Sequence, residues 1–196
     1  MLDELINYDK ELFLYLNGLG STTFDAFWMF ITNKLSSIPL YAILLFIVYK
    51  KLGVKGTLYV LIIVALLILC ADQTATLFKN GFQRWRPCYD EEIRDILRQV
   101  KKNCGGKYGY FSAHAANSMA LAVFIGSILK PYYKYAIIIL LFWALIVGYS
   151  RIYIGVHFPL DVLTGFVFGP IIALLAYKLF RWLMTKDIAI QGGQKN

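Results

Sequence analysis

Charged residues are scarce in this 196-residue sequence: Asp, Glu, Lys and Arg make up 16% of it, against about 25% in soluble domains. Hydrophobic residues make up 59% and mean hydropathy is +0.58. A single water-facing domain of this size does not need so many apolar side chains, so the surplus must face something other than water. A soluble all-helical protein with a greasy interior is the poorer reading. Acids are fewer than bases, 12 against 20 Lys and Arg, for a net charge of +8. Such a balance can signal nucleic acid, but here the cations sit between apolar runs, and no nucleic-acid partner is expected. No secretory leader is expected, because residues 1–11 are acidic and carry neither an apolar h-region nor a cleavage site. Membrane delivery is then expected to rest on internal spans. There is no internal repeat and no low-complexity tract, and the length suits one domain, 1–196. Histidine is rarer than any of these, with two in the chain.

Apolar runs organise the rest. Residues 1–34 read as an amphipathic, interfacial N-terminal segment. Leu2, Leu5, Ile6, Leu12, Phe13 and Leu16 fall on one side of a helix, which Gly18 and Gly20 stop. Residues 35–184 read as a helical bundle with candidate spans at 38–49, 57–78, 113–129, 135–149 and 160–183, against about 20 residues for a crossing. Residues 185–196 read as a polar tail. The expected fold is therefore all-α, a polytopic transmembrane helix bundle of about five spans plus an interfacial helix. Lys50, Lys51, Lys55, Lys130, Lys134, Lys178, Arg181 and Lys186 gather at one end, with Asp187 the one acid near those span ends. That end is expected to be cytoplasmic. The loops 79–110 and 150–159 then face the periplasm or the outside.

Polar residues converge on that outer face. Lys79 and Arg86 follow the second span, Ser112 and His114 open the third, and Ser150, Arg151, His157 and Asp161 lie between the fourth and fifth. Both histidines are among them. Long cations suit a phosphate dianion, arginine adding bidentate geometry. The N–H groups around Ser112 and Ala113, at a helix start, suit an anion as well. Asp161 follows His157 by four residues, so one helical turn can bring carboxylate to imidazole. A histidine so oriented can attack phosphorus, and His114 can protonate the leaving oxygen. Singly each signal is weak. An interfacial lysine usually snorkels, a lone histidine is usually structural, and a serine at a helix start is usually a cap. Their joint occurrence on one face favours chemistry. Within the second span Asp72, beside Gln73, Thr74 and Thr76, reads as a polar helix–helix contact, and Asn117 and Ser118 as packing residues.

The pattern Lys79–x6–Arg86–Pro87, then Ser112–Ala113–His114, then Ser150–Arg151–x5–His157–x3–Asp161 resembles the tripartite signature of the type 2 phosphatidic acid phosphatase superfamily. That superfamily includes membrane lipid phosphatases and the vanadium haloperoxidases, whose helical core this fold would share. The resemblance implies His157 as nucleophile, Asp161 as its partner and His114 as general acid. Lys79, Arg86, Ser112, Ala113 and Arg151 would hold phosphate, with neither metal nor other cofactor. Where the family usually has Pro-Ser-Gly-His, this chain has Phe111, Ser112, Ala113 and His114, so the entry to the helix differs. Among family members the chain is similar to bacterial undecaprenyl diphosphate phosphatases and to lipid A phosphatases of the inner membrane, and undecaprenyl diphosphate is the first expectation. Lipid A, phosphatidylglycerol phosphate and phosphatidic acid follow, and a non-hydrolytic anionic-lipid carrier is the reading from another class. Cys88 and Cys104, in one polar loop, can form a disulfide if that loop lies on an oxidising side.

Overall fold

The computed structural model describes residues 2–193, with side chains described for 3–186. Among these residues the regular elements are all helical: α1 (Leu2–Gly18), α2 (Thr22–Thr32), α3 (Ile38–Phe82), α4 (Ala113–Leu129), α5 (Ala136–Tyr153) and α6 (Pro159–Gly193), with short 3-10 turns at Leu35–Ser37 and Pro87–Tyr89. Helix α6 thus runs on into the segment expected as a polar tail, and residues 194–196 of that segment lie outside the described residues.

Gly53 determines how the longest helix is used. Forty-five helical residues would extend about 67 Å, more than twice the roughly 30 Å hydrocarbon core of a bilayer. At Gly53 the backbone leaves the helix, with φ 67° and ψ −173°, a region that essentially glycine alone occupies. Tyr41, before the break, lines the same cavity as Asp72 and Lys79 after it, and Val48 packs in one cluster with Val60. The chain therefore reverses, and α3 is a hairpin of two arms. With α4, α5 and α6 this makes five crossings. Leu35–Phe82, Ala136–Tyr153 and Pro159–Lys186 are long and apolar enough to span by length and composition, and Ala113–Leu129 is a shorter apolar helix.

Helix α4 is the buried centre. Ala115, Ala116, Ala120 and Phe124 have no exposed surface. Glycines let α6 approach it: a Cβ on Gly165 would lie 2.8 Å from the Ser112 carbonyl, and one on Gly169 would lie 2.6 Å from that of Ala116. This small-x3-small spacing permits close helix contact in lipid, where apolar burial supplies no drive between helices. Large side chains such as Phe46, Ile62, Ile139 and Phe142 point outward from the spans.

Helix α1 is held to the bundle by a mixed stripe. Its buried stripe is Asp9, Phe13 and Asn17, spaced four residues apart, while Leu5 and Leu12 are nearly half exposed. The Asn17 amide donates to the carbonyls of Arg98, Ile152 and Tyr153 at 3.1, 3.2 and 2.9 Å, and the Arg98 N–H donates to its Oδ1 at 2.8 Å. The helix is docked on the bundle by polar groups that find partners there, at the end holding loop 83–112 and the α5–α6 connection. At the opposite end the Lys51 ammonium lies over the rings of Tyr132 and Tyr133, 5.3 and 5.4 Å from their centroids.

Candidate active site

Lys79 comes from the last turn of α3, Arg86 from the loop beyond it, His114 from the first turn of α4, Arg151 from the last turn of α5 and His157 from the connection to α6. All five line one cavity of about 470 Å³, together with Ala113. The two histidines therefore share a site although 43 residues separate them in the chain.

Asp161 stands behind His157, fully buried in the first turn of α6. Its Oδ2 accepts from His157 Nδ1 at 3.2 Å and from the Phe158 N–H at 3.0 Å. With the proton on Nδ1 facing a carboxylate, the lone pair sits on Nε2, the nitrogen that meets Arg86 Nη1 at 3.5 Å. Burial, followed by the Arg86, Arg151 and Lys79 cations, holds the His157 pKa well below its usual 6.5. The imidazole is neutral at neutral pH.

The cations are unusual in what they lack. Arg151 is buried, its Nη1 donates to the Thr32 hydroxyl, and its Nε has no hydrogen-bond partner. Among the described residues neither Lys79, Arg86 nor Arg151 pairs with a carboxylate, whereas Arg84, Arg98 and Lys10 do. Gathering partly desolvated cations without counterions costs several kcal/mol per charge, a cost that a bound dianion offsets.

Two expected residues take other places. Ser112 is buried and caps α4, its Oγ accepting from the Ala115 N–H at 3.4 Å while its own N–H donates to the Asp161 carbonyl at 2.9 Å. It is not among the residues lining the cavity. Ser150 bonds back to the Val147 carbonyl at 2.6 Å. The neighbouring Phe111 stacks on Phe168 at 5.2 Å and meets Phe78 edge-on at 5.1 Å. Aromatic packing across α3, α4 and α6 thus fixes the entry to α4, where a proline would restrict the backbone instead. Asn117 donates to Asp72 at 2.8 Å, tying α4 to α3. Cys88 and Cys104 are joined by a disulfide, S–S 2.04 Å. Among the described residues no group of three or more His, Cys, Asp or Glu side chains is placed to hold a metal ion.

Sequence reasoning missed three residues: Thr32, Arg84 and Asp9. Arg84 Nη2 meets Asp9 Oδ2 at 2.6 Å and its Nη1 meets Asp161 Oδ1 at 3.3 Å. Arg84 lies inside the Lys79–Arg86 motif, and that position is the sequence signal it carries. Asp9 carries no local signal beyond its four-residue spacing from Phe13 and Asn17.

Residues 54–185 match the family profile of the PAP2 superfamily. A lipid A 4′-phosphatase of Porphyromonas gingivalis is 33% identical over 191 residues, covering 93% of this chain and 79% of that protein. A lipid A 4′-phosphatase of Bacteroides thetaiotaomicron is 34% identical over 171 residues, covering 86% and 75%. An undecaprenyl-diphosphatase of Sulfolobus acidocaldarius is 28% identical over 181 residues, covering 90% and 81%. Two solved structures share the fold. The PAP2-type phosphatidylglycerolphosphate phosphatase of Bacillus subtilis superposes with a TM-score of 0.71 at 20% identity, covering 90% of this chain and 86% of its own. Aquifex aeolicus LpxE superposes with 0.66 at 24% identity, covering 86% and 93%. With the profile matched over two-thirds of its length and relatives a third identical across most of it, the chain belongs to the PAP2 superfamily and is a multi-pass membrane lipid phosphatase.

Proposed function

We propose that this protein removes phosphate from lipid A, through a phosphohistidine on His157, at a site facing the periplasm. The observation that carries the chemistry is the set of three cations without carboxylate partners, Lys79, Arg86 and Arg151, around two histidines in one cavity. In the first step His157 Nε2 attacks phosphorus and the P–O bond to the lipid breaks. His114 donates a proton to the departing oxygen. In the second step water, giving a proton to His114, attacks the phosphohistidine, and the N–P bond breaks to release inorganic phosphate. The cations neutralise the charge that builds on the equatorial oxygens, a role that a metal fills elsewhere. Asp161 holds the ring in the reactive tautomer.

The lipid assignment changes with the comparisons. Signature residues see the phosphate alone, which all of these lipids share, so they do not choose among them. The two lipid A 4′-phosphatases, at 33% and 34% identity, favour lipid A over undecaprenyl diphosphate, whose named relative is 28% identical. An apolar cavity of about 310 Å³ between the arms of α3, lined by residues such as Leu45, Val48 and Val60, shares Tyr41 with the phosphate cavity. It gives an acyl chain an apolar path beside the headgroup. The disulfide in loop 83–112 and the Lys-rich opposite end support a periplasmic site.

The test is phosphate release by the purified protein in detergent with EDTA. Lipid A, undecaprenyl diphosphate, phosphatidylglycerol phosphate and phosphatidic acid are compared by kcat/KM. Lipid A is expected to lead and His157→Ala to be inactive. Undecaprenyl diphosphate leading would overturn the substrate, and an active His157→Ala enzyme would overturn the mechanism.

A further inference from the structure

The N-terminal helix lies outside the matched family profile, which begins at residue 54, yet one of its side chains ends three contacts from the proposed nucleophile. We propose that Asp9 and Arg84 are positioning residues that fix the Asp161 carboxylate, and through it the His157 ring, so that α1 is part of the machinery of the site. The inference rests on the phosphohistidine reading above.

Asp161 has two oxygens with separate duties. Oδ2 receives His157 Nδ1 at 3.2 Å and the Phe158 N–H at 3.0 Å. Oδ1 receives Arg84 Nη1 at 3.3 Å. The same guanidinium gives Nη2 to Asp9 Oδ2 at 2.6 Å, while Asp9 Oδ1 takes the Leu160 N–H at 2.9 Å. One planar cation thus bridges two buried carboxylates, 2% and 0% exposed at the side chain. Its face is held as well: the Arg84 guanidinium carbon lies 4.2 Å from the Phe158 ring centroid, and Phe13 of α1 meets that ring edge-on at 5.3 Å. A lysine is a point donor and cannot span two carboxylates in one plane.

Arg84 does not line the phosphate cavity, whereas Arg86 does. It therefore acts on the chemistry through Asp161 and not on the phosphate. Without it, the carboxylate can rotate about its χ2 bond and Nδ1 loses a fixed acceptor. The competing explanation is plain anchoring, in which the Arg84–Asp9 pair only holds α1 to the bundle.

The experiment uses the full chain in detergent, labelled with 15N-histidine. Two histidines give a simple spectrum, assigned with His114→Gln. Wild type is expected to show His157 protonated at Nδ1. In Arg84→Gln and in Asp9→Asn its two nitrogen shifts should move toward each other as the tautomers mix. In parallel, kcat should fall about 10–100-fold, as for other groups that orient a reacting histidine from behind. KM and the inhibition constant for inorganic phosphate should stay within about threefold, because the three cations remain. Arg84→Lys should recover part of kcat. Unchanged His157 nitrogen shifts in a folded Arg84→Gln protein would overturn the proposal and leave the anchoring explanation. A loss carried by KM and phosphate affinity would overturn it too, by making Arg84 a phosphate ligand. If Arg84→Gln does not fold, Asp9→Asn, which keeps nearly the same shape, is read in the same two ways. If wild type releases phosphate from no lipid, the phosphatase mechanism fails separately, and the nitrogen shifts still decide the positioning role.

Discussion

Replacing Asp161 by Asn changes one atom and, by the geometry of the site, reverses the ring proton of His157. Three donors converge on the Asp161 side chain: His157 Nδ1, the Phe158 N–H and Arg84 Nη1. A carboxylate accepts all three, while an amide has one oxygen and one NH2. If the amide oxygen stays toward His157, the NH2 group faces Arg84, donor against a permanent cation. The loss there is a charge-assisted hydrogen bond, about 1.5–3 kcal/mol. Turning the oxygen toward Arg84 avoids that loss, gives up the weaker neutral bond from the Phe158 N–H and puts NH2 against Nδ1, which must then give up its proton. The proton moves to Nε2, and the nitrogen that should attack phosphorus is capped. The same substitution in a Ser-His-Asp triad lowers kcat by about 10⁴ through the wrong tautomer, or about 5.4 kcal/mol of barrier. We expect about 10³–10⁴ here, with KM within about threefold because Lys79, Arg86 and Arg151 are untouched. Folding should survive, since Arg84 keeps Asp9 at 2.6 Å. The assay is phosphate release at saturating lipid, with acid-labile, alkali-stable phosphoenzyme trapped in single turnover. A variant retaining more than about a tenth of wild-type kcat would refute the tautomer argument.

Three other outcomes follow from the same structure. The folded His157 pKa lies below the unfolded value of about 6.5, so below that pH the unfolded chain binds more protons. This stabilisation is present above about 6.5 and is lost as pH falls. The melting temperature in detergent should drop between pH 7 and pH 5, and drop less in His157→Gln; an equal drop in both would count against it. Opening the Cys88–Cys104 bridge, whose sequence separation is 16, should cost about 3 kcal/mol by loop entropy. In Cys88→Ser/Cys104→Ser that would appear as a lower melting temperature, with KM raised because Lys101 and Cys104 of the closed loop line the cavity. Gly165→Ala puts a methyl 2.8 Å from the Ser112 carbonyl, and separating α4 from α6 should cost about 1–3 kcal/mol. Because α4 carries His114 and α6 carries Asp161, kcat should fall with stability; a variant as stable and active as wild type would contradict that packing.

What the sequence disclosed follows the range of its signals. Lys79 with Arg86, and Arg151 with His157 and Asp161, each lie within one short segment, so spacing alone places them together. The α3 hairpin was readable as two spans because Lys50, Lys51, Gly53 and Lys55 interrupt the apolar run. Ser112 was readable as a helix start, and its Oγ does accept from the Ala115 N–H, a bond that leaves the hydroxyl hydrogen uncommitted. The bridge from Asp9 to Arg84 spans 75 residues and leaves no periodic trace.

The docking face of α1 has a more general physical cause. An amphipathic pattern assigns apolar residues to the inside because water lies outside. At the membrane interface apolar side chains such as Leu5 and Leu12 gain little by turning inward, and acids such as Asp3 and Glu11 stay exposed. The inside is then the better place for Asp9 and Asn17, which find three donors there, on Arg84, Leu160 and Arg98, and three acceptors, the carbonyls of Arg98, Ile152 and Tyr153. What matters is that every one of those contacts reaches loop 83–112 or the α5–α6 region that carries His157. In a helix beside lipid, buried polar residues at four-residue spacing therefore mark the docking face, and here that face points at the site.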